Sequence, residues 1–344
     1  MLHFESDYIA GAHPKVLEAL VNTNLAYQPG YGDDAYTASA REKIRALCAC
    51  PNADVVLLTG GTQTNAVVIS AMLNDWQGVV AAHTGHIAAH EAGAIEFTGH
   101  KVLTLSQERG KLFAEAVEAF IHSFYADANH SHMVYPGMVY ISFPTEYGTL
   151  YSKAELSALY AVCQKAGIPL FIDGARLAYG LMSPECDLTL AELASLCDVF
   201  YIGGTKAGAL CGEAVVFPKG NAPAHLITSI KRRGALLAKG RLNGVQFDAL
   251  FTDDLYFQIG RHAVQLAMRL KEVFRAQGVP LYIDSPTNQQ CVVLEDARAE
   301  ALSHAVGYRF WEKADQTHSV LRFATSWTTR KVDIDALETL LKRI

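Results

Sequence analysis

The 344-residue chain has no apolar run as long as the roughly 18 residues that a membrane-spanning helix needs. Its first residues, MLHFESDYIAGAH, lack the apolar stretch of a secretory signal. It also lacks an excess of positive charge, because 29 Lys and Arg stand against 35 Asp and Glu, giving a net charge of −6. We therefore expect neither a membrane nor nucleic acid to be its main partner.

Cysteines with the spacing of a disulfide framework or a zinc knuckle are missing as well. The chain has seven cysteines, an odd number, and only Cys48 and Cys50 are close together, as C-A-C. Reduced and mostly buried thiols are typical of a cytoplasmic protein, which is the location we expect.

Short apolar runs alternate with helical patterns over the first two thirds of the chain. The strand-like runs are DVVLLTG (54–60), GVVAAH (78–83), HKVLTL (100–105), MVYISFP (138–144), IPLFIDGARL (168–177), DVFYIG (198–203) and GEAVVFP (212–218). The last run follows its neighbour so closely that an antiparallel pairing is expected. The capping boxes Ser152-x-x-Glu155 and Thr189-x-x-Glu192 predict helix starts. Together these patterns predict an α/β fold, with a mostly parallel sheet flanked by helices.

The pattern changes at about residue 245. A helical stretch over roughly residues 245–277 leads to PLYIDS, QCVVLE and VLRFATSW, and VDIDALETLLKRI closes the chain as a helix. This predicts two domains: a large domain over residues 1–245 and a smaller C-terminal α+β domain over residues 246–344.

Two of the strand-like runs end in residues that suit a ligand site. Gly60-Gly61-Thr62-Gln63 lies between a strand and a helix, where free N–H groups and a hydroxyl can bind phosphate, although Thr62 could equally be a helix cap. Asp173-Gly174-Ala175-Arg176 offers a carboxylate for a protonated ring nitrogen and an arginine for an anion, or else a structural ion pair. Ligands of open α/β sheets bind beyond the carboxyl ends of the strands, so these motifs are expected to meet.

Lys206 follows a third strand, within the small and apolar stretch VFYIGGTKAGALCGE. On that stretch alone, a lysine in a surface turn would be the simplest interpretation. However, a phosphate cradle, a carboxylate for a ring nitrogen and a lysine for a Schiff base are what pyridoxal phosphate needs. The combination favours an enzyme with this cofactor over a non-catalytic α/β protein.

His83, His86 and His90 form a cluster beside Glu91. His86 and His90 are four residues apart and could share a helix face as zinc ligands, but the glutamate in second position of the metalloprotease motif is absent. We expect no metal and prefer an interpretation in which His86 stacks on the cofactor ring. Polar histidines at a helix start are the alternative for the other two.

In these motifs the chain resembles the L-threonine aldolases of the β-eliminating lyase group, pyridoxal-phosphate enzymes with the aspartate aminotransferase fold (fold type I). The matching pieces are FESD near the start, Tyr31-Gly32-Asp33-Asp34, Gly60-Gly61-Thr62-Gln63-x-Asn65, Gly85-His86, His90-Glu91-Ala92-Gly93, Asp173-Gly174-Ala175-Arg176, Thr205-Lys206 and Leu321-Arg322-Phe323. The resemblance implies a seven-stranded sheet in the large domain and cleavage of L-threonine or L-allo-threonine to glycine and acetaldehyde. Another reaction of the same cofactor, such as β-elimination or transamination, is the alternative.

The resemblance also implies a role for each matching residue. The expected cofactor ligands are Lys206 as the covalent attachment, Asp173 at the pyridine nitrogen, Gly61 and Thr62 at the phosphate, His86 on the ring, and Arg176. The expected ligands of the substrate are Ser6, Tyr31, Arg176 and Arg322.

The resemblance further implies a homo-oligomer with shared sites, either a dimer or a homotetramer. Tyr31 would approach the site of a neighbouring subunit. A basic residue of the partner would assist the phosphate, and in KRRGALLAKGRL the candidate is Arg241, ahead of Arg233.

One departure from the family pattern concerns the base. Pro144-Thr145-Glu146 stands where many relatives have Asn-Thr-His, whose histidine is near the substrate hydroxyl. Glu146 could replace it as the base or could only form a hydrogen bond, and His86 is the other candidate. A carboxylate with a pKa near 4 is a poor base at neutral pH unless burial raises that pKa.

Overall fold

The computed structural model describes residues 1–343. In chain order the strands are β1 (Leu2–His3), β2 (Asp54–Leu58), β3 (Gln77–Ala82), β4 (Val102–Leu105), β5 (Tyr135–Ser142), β6 (Leu170–Asp173), β7 (Val199–Gly203), β8 (Glu213–Phe217), β9 (Leu281–Ile283), β10 (Gln289–Glu295), β11 (Val306–Gly307), β12 (Arg309–Lys313) and β13 (His318–Ala324). The α-helices are α1 (Pro14–Thr23), α2 (Ala35–Leu47), α3 (Gly61–Met72), α4 (His86–Ala89), α5 (Ala114–Ala126), α6 (Lys153–Ala166), α7 (Leu177–Leu181), α8 (Leu190–Ser195), α9 (Leu226–Arg232), α10 (Arg241–Leu250), α11 (Leu255–Ala276), α12 (Asp296–Ser303) and α13 (Lys331–Leu341). Two short 3₁₀ helices lie at Glu96–Thr98 and His130–His132.

A seven-stranded sheet lies at the centre of the larger part of the molecule. Its strand order is β2-β8-β7-β6-β5-β3-β4, and β8 runs antiparallel to both of its neighbours while the other pairs are parallel. Strands β6, β7 and β8 are buried along their whole length. Alternate residues of β7 belong to two different apolar cores, one on each face of the sheet. The predicted α/β class and the antiparallel β7–β8 pair are therefore confirmed.

Helices cross between these strands and begin where the sequence indicated. Ser152 and Glu155 form a complete capping box at the start of α6, and Thr189 and Glu192 form another at α8. Each box pairs two backbone N–H groups that would otherwise lack a partner. Because β2, β6 and β7 run in one direction, their carboxyl ends lie at the same edge of the sheet.

A second, four-stranded antiparallel sheet with the order β12-β13-β10-β9 forms the smaller part. Its apolar core includes Phe274 from α11, Phe323 from β13 and also Phe4, because β1 pairs in parallel with β11. The predicted domain boundary between residues 245 and 246 lies inside α10 and stays a prediction.

The single helical stretch predicted over residues 245–277 is wrong. The structure has two helices there, α10 and α11, with a break after Leu250. Asp253 and Asp254 in the break have φ angles of 51° and 61°. Left-handed backbone cannot continue a right-handed helix, and aspartate tolerates it better than most residues. The polar T-D-D sequence was the signal for this break.

Within residues 1–343, no helix is both long and apolar enough to cross a membrane. The described residues also contain no group of three or more His, Cys, Asp or Glu side chains placed to hold a metal ion. All seven cysteines are free thiols.

Candidate active site

A cavity of about 340 Å³ opens at the edge where β2, β6 and β7 end. It is lined by residues that the sequence analysis singled out, among them Gly60, Gly61, Thr62, His86, Glu146, Asp173, Arg176 and Lys206. Side chains that it did not single out also line the cavity, among them Tyr8, Ser142, Tyr201 and Glu213. The three motifs thus meet as predicted.

A second cavity of about 460 Å³ adjoins the first and shares Tyr8, His86, Glu146, Arg176 and Lys206 with it. Its remaining lining includes Arg322, Trp311 and His90. A larger groove of about 540 Å³ lies between α5 and α6 and contains none of the predicted site residues. The two adjoining cavities are therefore the candidate active site.

Lys206 lies in the turn between β7 and β8, where two glycines let the backbone approach its neighbours closely. A Cβ at Gly203 would lie 2.4 Å from the Ala175 carbonyl oxygen, and one at Gly204 would lie 2.9 Å from the Phe247 ring. The Lys206 amine lies 5.9 Å from the centre of the Tyr8 ring. Burial and the nearby positive charge of Arg176 lower the pKa of Lys206, which increases the fraction of neutral, nucleophilic amine.

Asp173 ends β6 and accepts four hydrogen bonds. The donors are the hydroxyls of Tyr201 at 2.5 Å and Tyr140 at 2.6 Å, the Ala175 N–H at 3.0 Å and the Asn65 side-chain amide at 3.2 Å. Burial raises the pKa of Asp173, but the nearby His86 and the two tyrosine hydroxyls outweigh it and hold the pKa below its usual value. The buried carboxyl is therefore an anion.

His86 is connected to Asp173 through two further buried side chains. Its Nδ1 lies 2.7 Å from Oε1 of Glu91, and the Asn65 amide donates to that same oxygen at 2.7 Å and to Asp173 at 3.2 Å. Glu91 and Asn65 belong to the family-like motifs, and this chain of contacts gives them a physical role. It fixes the orientation of the His86 ring relative to the Asp173 carboxylate.

Glu146 is buried against the start of α4. Its Oε1 accepts hydrogen bonds from the Ser142 hydroxyl at 2.6 Å and from the His86 N–H at 2.9 Å. Burial raises the pKa of Glu146, and the Ser142 hydrogen bond offsets only part of that rise. The pKa of Glu146 is thus shifted in the direction that a carboxylate base near neutral pH requires.

The two predicted carboxylate-binding arginines differ in their surroundings. Arg176 makes a bidentate ion pair with Asp7, at 2.7 Å and 3.0 Å, and the Asn288 amide also donates to Asp7, at 2.9 Å. Arg322 is 9% exposed, its guanidinium lies 5.2 Å from the Trp311 ring, and its buried Nε has no hydrogen-bond partner within the described part of the chain. Burial and the charge of Arg176 lower the pKa of Arg322 to about 10. Of these two arginines, Arg322 is therefore the one without an acid partner among residues 1–343.

Three predicted site residues do not line either cavity. The buried Ser6 hydroxyl has no hydrogen-bond partner among residues 1–343. Tyr31 is half exposed, and the Arg241 guanidinium donates to the carbonyl oxygens of Thr23 and Ala26. The alternative, Arg233, donates to the Ser70 hydroxyl at 2.9 Å. The roles expected for Tyr31 and Arg241 concern a neighbouring subunit and stay predictions.

The start of α3 completes an arrangement that could hold an aromatic aldehyde phosphate. Gly60 caps the helix without a side-chain hydrogen bond, which leaves the N–H groups of the first turn free for an anion. A Cβ at Gly61 would lie 3.2 Å from the Tyr201 hydroxyl, so glycine keeps this end of the cavity open. An anion site, an ionised carboxylate and a buried amine therefore line one cavity.

Comparisons with known proteins agree with this geometry. Residues 3–329 match the beta-eliminating lyase family. The chain is 30% identical over 344 residues to the low specificity L-threonine aldolase of Pseudomonas aeruginosa, covering 99% of this chain and 96% of that relative. Among solved structures, a threonine aldolase from Leishmania major has a TM-score of 0.96 and 41% identity, covering 100% and 99% of the two chains.

An aspartate aminotransferase from Thermus thermophilus has the same fold at a TM-score of 0.71, covering 100% of this chain and 91% of that one; its identity is 14%. Likeness at this identity concerns the fold alone. Because the family match and the relative from Pseudomonas both span nearly the whole chain, the protein belongs to the beta-eliminating lyase family.

Proposed function

We propose that the chain is a pyridoxal-phosphate-dependent lyase that cleaves L-threonine or L-allo-threonine to glycine and acetaldehyde. The observation that carries this proposal is the meeting of Lys206, the ionised Asp173 and the start of α3 in one cavity. Relatives and structural neighbours named threonine aldolases support the choice of reaction. When bound, the cofactor supplies an aldehyde for amino groups and an aromatic ring that accepts the electrons of the broken Cα–Cβ bond.

Each part of the cavity suits one part of that cofactor. The free N–H groups of the first turn of α3, at Gly61 and Thr62, would bind the phosphate. Asp173 would receive the ring N–H⁺, and its low pKa suits it to remain an anion there. Lys206 would form the covalent attachment, while His86, oriented by Glu91, would lie against the ring.

The substrate carboxylate would bind Arg322. A buried guanidinium without an acid partner favours an incoming anion, and the Trp311 ring holds it in place. Arg176 already donates to Asp7 from Nε and Nη2, so its charge is partly balanced before any ligand binds. We assign Arg322 as the main anchor and Arg176, which keeps N–H donors on Nη1 and Nη2, as a second contact of the carboxylate. Such a clamp orients the bond to be broken.

Glu146 would take the proton of the substrate β-hydroxyl. We expect Glu146→Gln to lower kcat by about 10²–10⁴-fold, the usual range for loss of a general base. The acidic limb of the kcat profile should also disappear, because an amide cannot titrate. In the wild type that limb should lie above pH 4.5, since burial raises the pKa of Glu146 from that value. Stopped-flow assays across pH would measure both quantities.

His86→Asn is the comparison that decides between the two candidate bases. If His86 were the base, its variant would lose the acidic limb and Glu146→Gln would keep it. Ser142→Ala removes the hydrogen bond that lowers the pKa of Glu146. This variant should therefore move the acidic limb of the kcat profile to higher pH.

The direct experiment on the reaction is product analysis. Purified protein with pyridoxal phosphate and L-threonine or L-allo-threonine should yield glycine and acetaldehyde in equal amounts. A 2-oxo acid in their place would indicate β-elimination or transamination and would overturn the assignment.

We also propose that the chain forms a homo-oligomer, either a dimer or a homotetramer. Its proposed location is the reducing environment of the cytoplasm, which suits seven free thiols. Supporting the assembly, apolar side chains are exposed around α1 and the loop after it: Leu25 is 88% and Tyr27 is 101% exposed. We expect Leu25→Glu with Tyr27→Glu to shift the sedimentation coefficient towards that of a monomer. Phe97→Glu, which alters another exposed apolar residue, is the control. A wild-type protein that sediments as a monomer would contradict the proposal.

A further inference from the structure

Glu213 lines the cavity, yet the proposed reaction gives it no task. It is the first residue of β8, an interior strand, where it is in register with Leu58 of β2 and Gly203 of β7. The residue is 3% exposed. A carboxyl at the inner end of a buried strand is unusual enough to require an explanation.

Hydrogen bonds hold the Glu213 carboxyl, but no cation pairs with it. It accepts from the Thr205 hydroxyl at 2.8 Å and from the Gly204 N–H at 3.2 Å. The Thr205 oxygen in turn accepts from the Gly212 N–H, at 3.1 Å, which leaves its hydrogen for Glu213. Among residues 1–343 no Lys, Arg or His nitrogen lies within 4.0 Å of the carboxyl oxygens. Buried carboxyls without a cation partner tend to take up a proton.

The charged surroundings of Glu213 favour the same state. Burial raises the pKa of Glu213 to about 8, and the negative charge of Asp173 raises it as well, although the Thr205 hydrogen bond and the charge of Lys206 lower it. Tyr201 on β7 and Tyr256 on α11 also face it. A neutral Glu213 is thus the expected form at neutral pH.

Glu213 shares its cavity with the residues that suit phosphate. Leu58, its partner in register, is three residues before Gly61, the first residue of α3. Thr205, its hydrogen-bond donor, lines the same cavity as Gly61 and Thr62. A phosphate carries close to two negative charges above its second pKa near 6, and a carboxylate in the same small cavity would repel it.

We propose that Glu213 is a neutral carboxylic acid when the cavity holds the phosphate of its cofactor, and that loss of this proton weakens cofactor binding. The inference rests on the proposed function, because it takes pyridoxal phosphate as the ligand. Lys206 has the opposite dependence: its neutral amine, favoured at higher pH, reacts more readily with an aldehyde. A fall in cofactor affinity as the pH rises would therefore indicate Glu213, whereas a rise would indicate Lys206.

The test is the Kd of the full-length protein for pyridoxal phosphate, measured across about pH 6.5–9.5 by equilibrium dialysis. Above pH 8 the wild-type affinity should fall by up to about tenfold for each pH unit, as linkage to one proton requires. Glu213→Gln, which cannot ionise at this position, should show no fall in affinity over this range, and any change due to Lys206 should be a rise. Glu185→Gln, which makes the same substitution at an exposed position, should show the pH dependence of the wild type. A wild-type affinity that is flat or rises above pH 8, or an equal fall in Glu213→Gln, would overturn the inference.

Inorganic phosphate provides a second test that needs no aldehyde. Calorimetry at about pH 8 in two buffers of different ionisation enthalpy should detect more proton uptake when phosphate binds to the wild type than when it binds to Glu213→Gln, in which Lys206 can still take up a proton. Phosphate binding with no proton uptake in the wild type, or with equal uptake in the two proteins, would contradict the role of Glu213. If phosphate binds with uptake but pyridoxal phosphate yields no new visible absorption at any pH, the proposed function fails and the inference about Glu213 stands.

Discussion

Lys206→Ala is expected to lose aldol cleavage by at least about 10⁴-fold, the order of loss seen when a covalently acting residue is removed. The variant should also fail to develop the visible absorption that the wild type acquires with pyridoxal phosphate, because no other lysine lines the two cavities. The free energy of unfolding should change little, since burial and the Arg176 charge already disfavour the cationic form of this amine.

Two further variants make this result specific. Lys206→Arg keeps a positive charge in the turn but cannot attach the cofactor covalently, so it should be as inactive as the alanine variant. Lys101→Ala changes an exposed lysine and should retain wild-type activity and absorption. Residual activity of Lys206→Ala above about 1% of wild type, with the visible absorption retained, would refute the assignment of Lys206.

The fold and the meeting point of the motifs could be predicted because both depend on local patterns. Apolar runs such as DVFYIG define buried strands, and capping boxes such as Ser152-x-x-Glu155 define helix starts without reference to distant residues. The topology of parallel strands then brings their carboxyl ends to one edge. That is why Lys206 and Asp173, 33 residues apart in sequence, line the same cavity.

The partners of the predicted residues could not be predicted, because they come from distant parts of the chain. Asp7 pairs with Arg176 across 169 residues, and Tyr140 reaches Asp173 across 33. Both tyrosines that donate to Asp173 stand in apolar strand runs, where sequence alone indicates only a core residue. The break before α11 was missed for a different reason. Only two consecutive residues, Asp253 and Asp254, have left-handed backbone there, so the interruption of the helical pattern is short.

These partners matter most for the two arginines, whose replacement by leucine should have opposite effects on stability. Arg322→Leu removes a buried and unpaired charge, so the free energy of unfolding should stay constant or rise by about 1–3 kcal/mol. Arg176→Leu leaves Asp7 buried without its cation and should lower that free energy by about 3–5 kcal/mol. Denaturant unfolding of the two cofactor-free variants would measure the difference.

The pH dependence of stability separates the arginines further. The Arg176 charge helps to hold the pKa of Asp7 at about 2, against the ordinary 3.8, despite the opposing effect of burial. An acid with a lowered pKa stabilises the fold above its unfolded pKa, and that contribution is lost as the pH falls through the folded pKa. Unfolding measurements between pH 4 and pH 2 should therefore detect this loss in the wild type and in Arg322→Leu. In Arg176→Leu it should be largely absent.

Arg322 matters less than Arg176 for stability, but we expect it to matter more for activity. Truncating one partner of a buried, hydrogen-bonded charge pair costs about 2–5 kcal/mol, so Arg322→Leu should raise KM for threonine by about 10²-fold or more. Visible absorption with pyridoxal phosphate should remain, because the residues assigned to the cofactor are unchanged. If Arg322→Leu instead kept a wild-type KM, the substrate carboxylate would have to bind elsewhere. Arg176 would then be the main anchor, because it keeps N–H donors on Nη1 and Nη2 while Nε and Nη2 donate to Asp7.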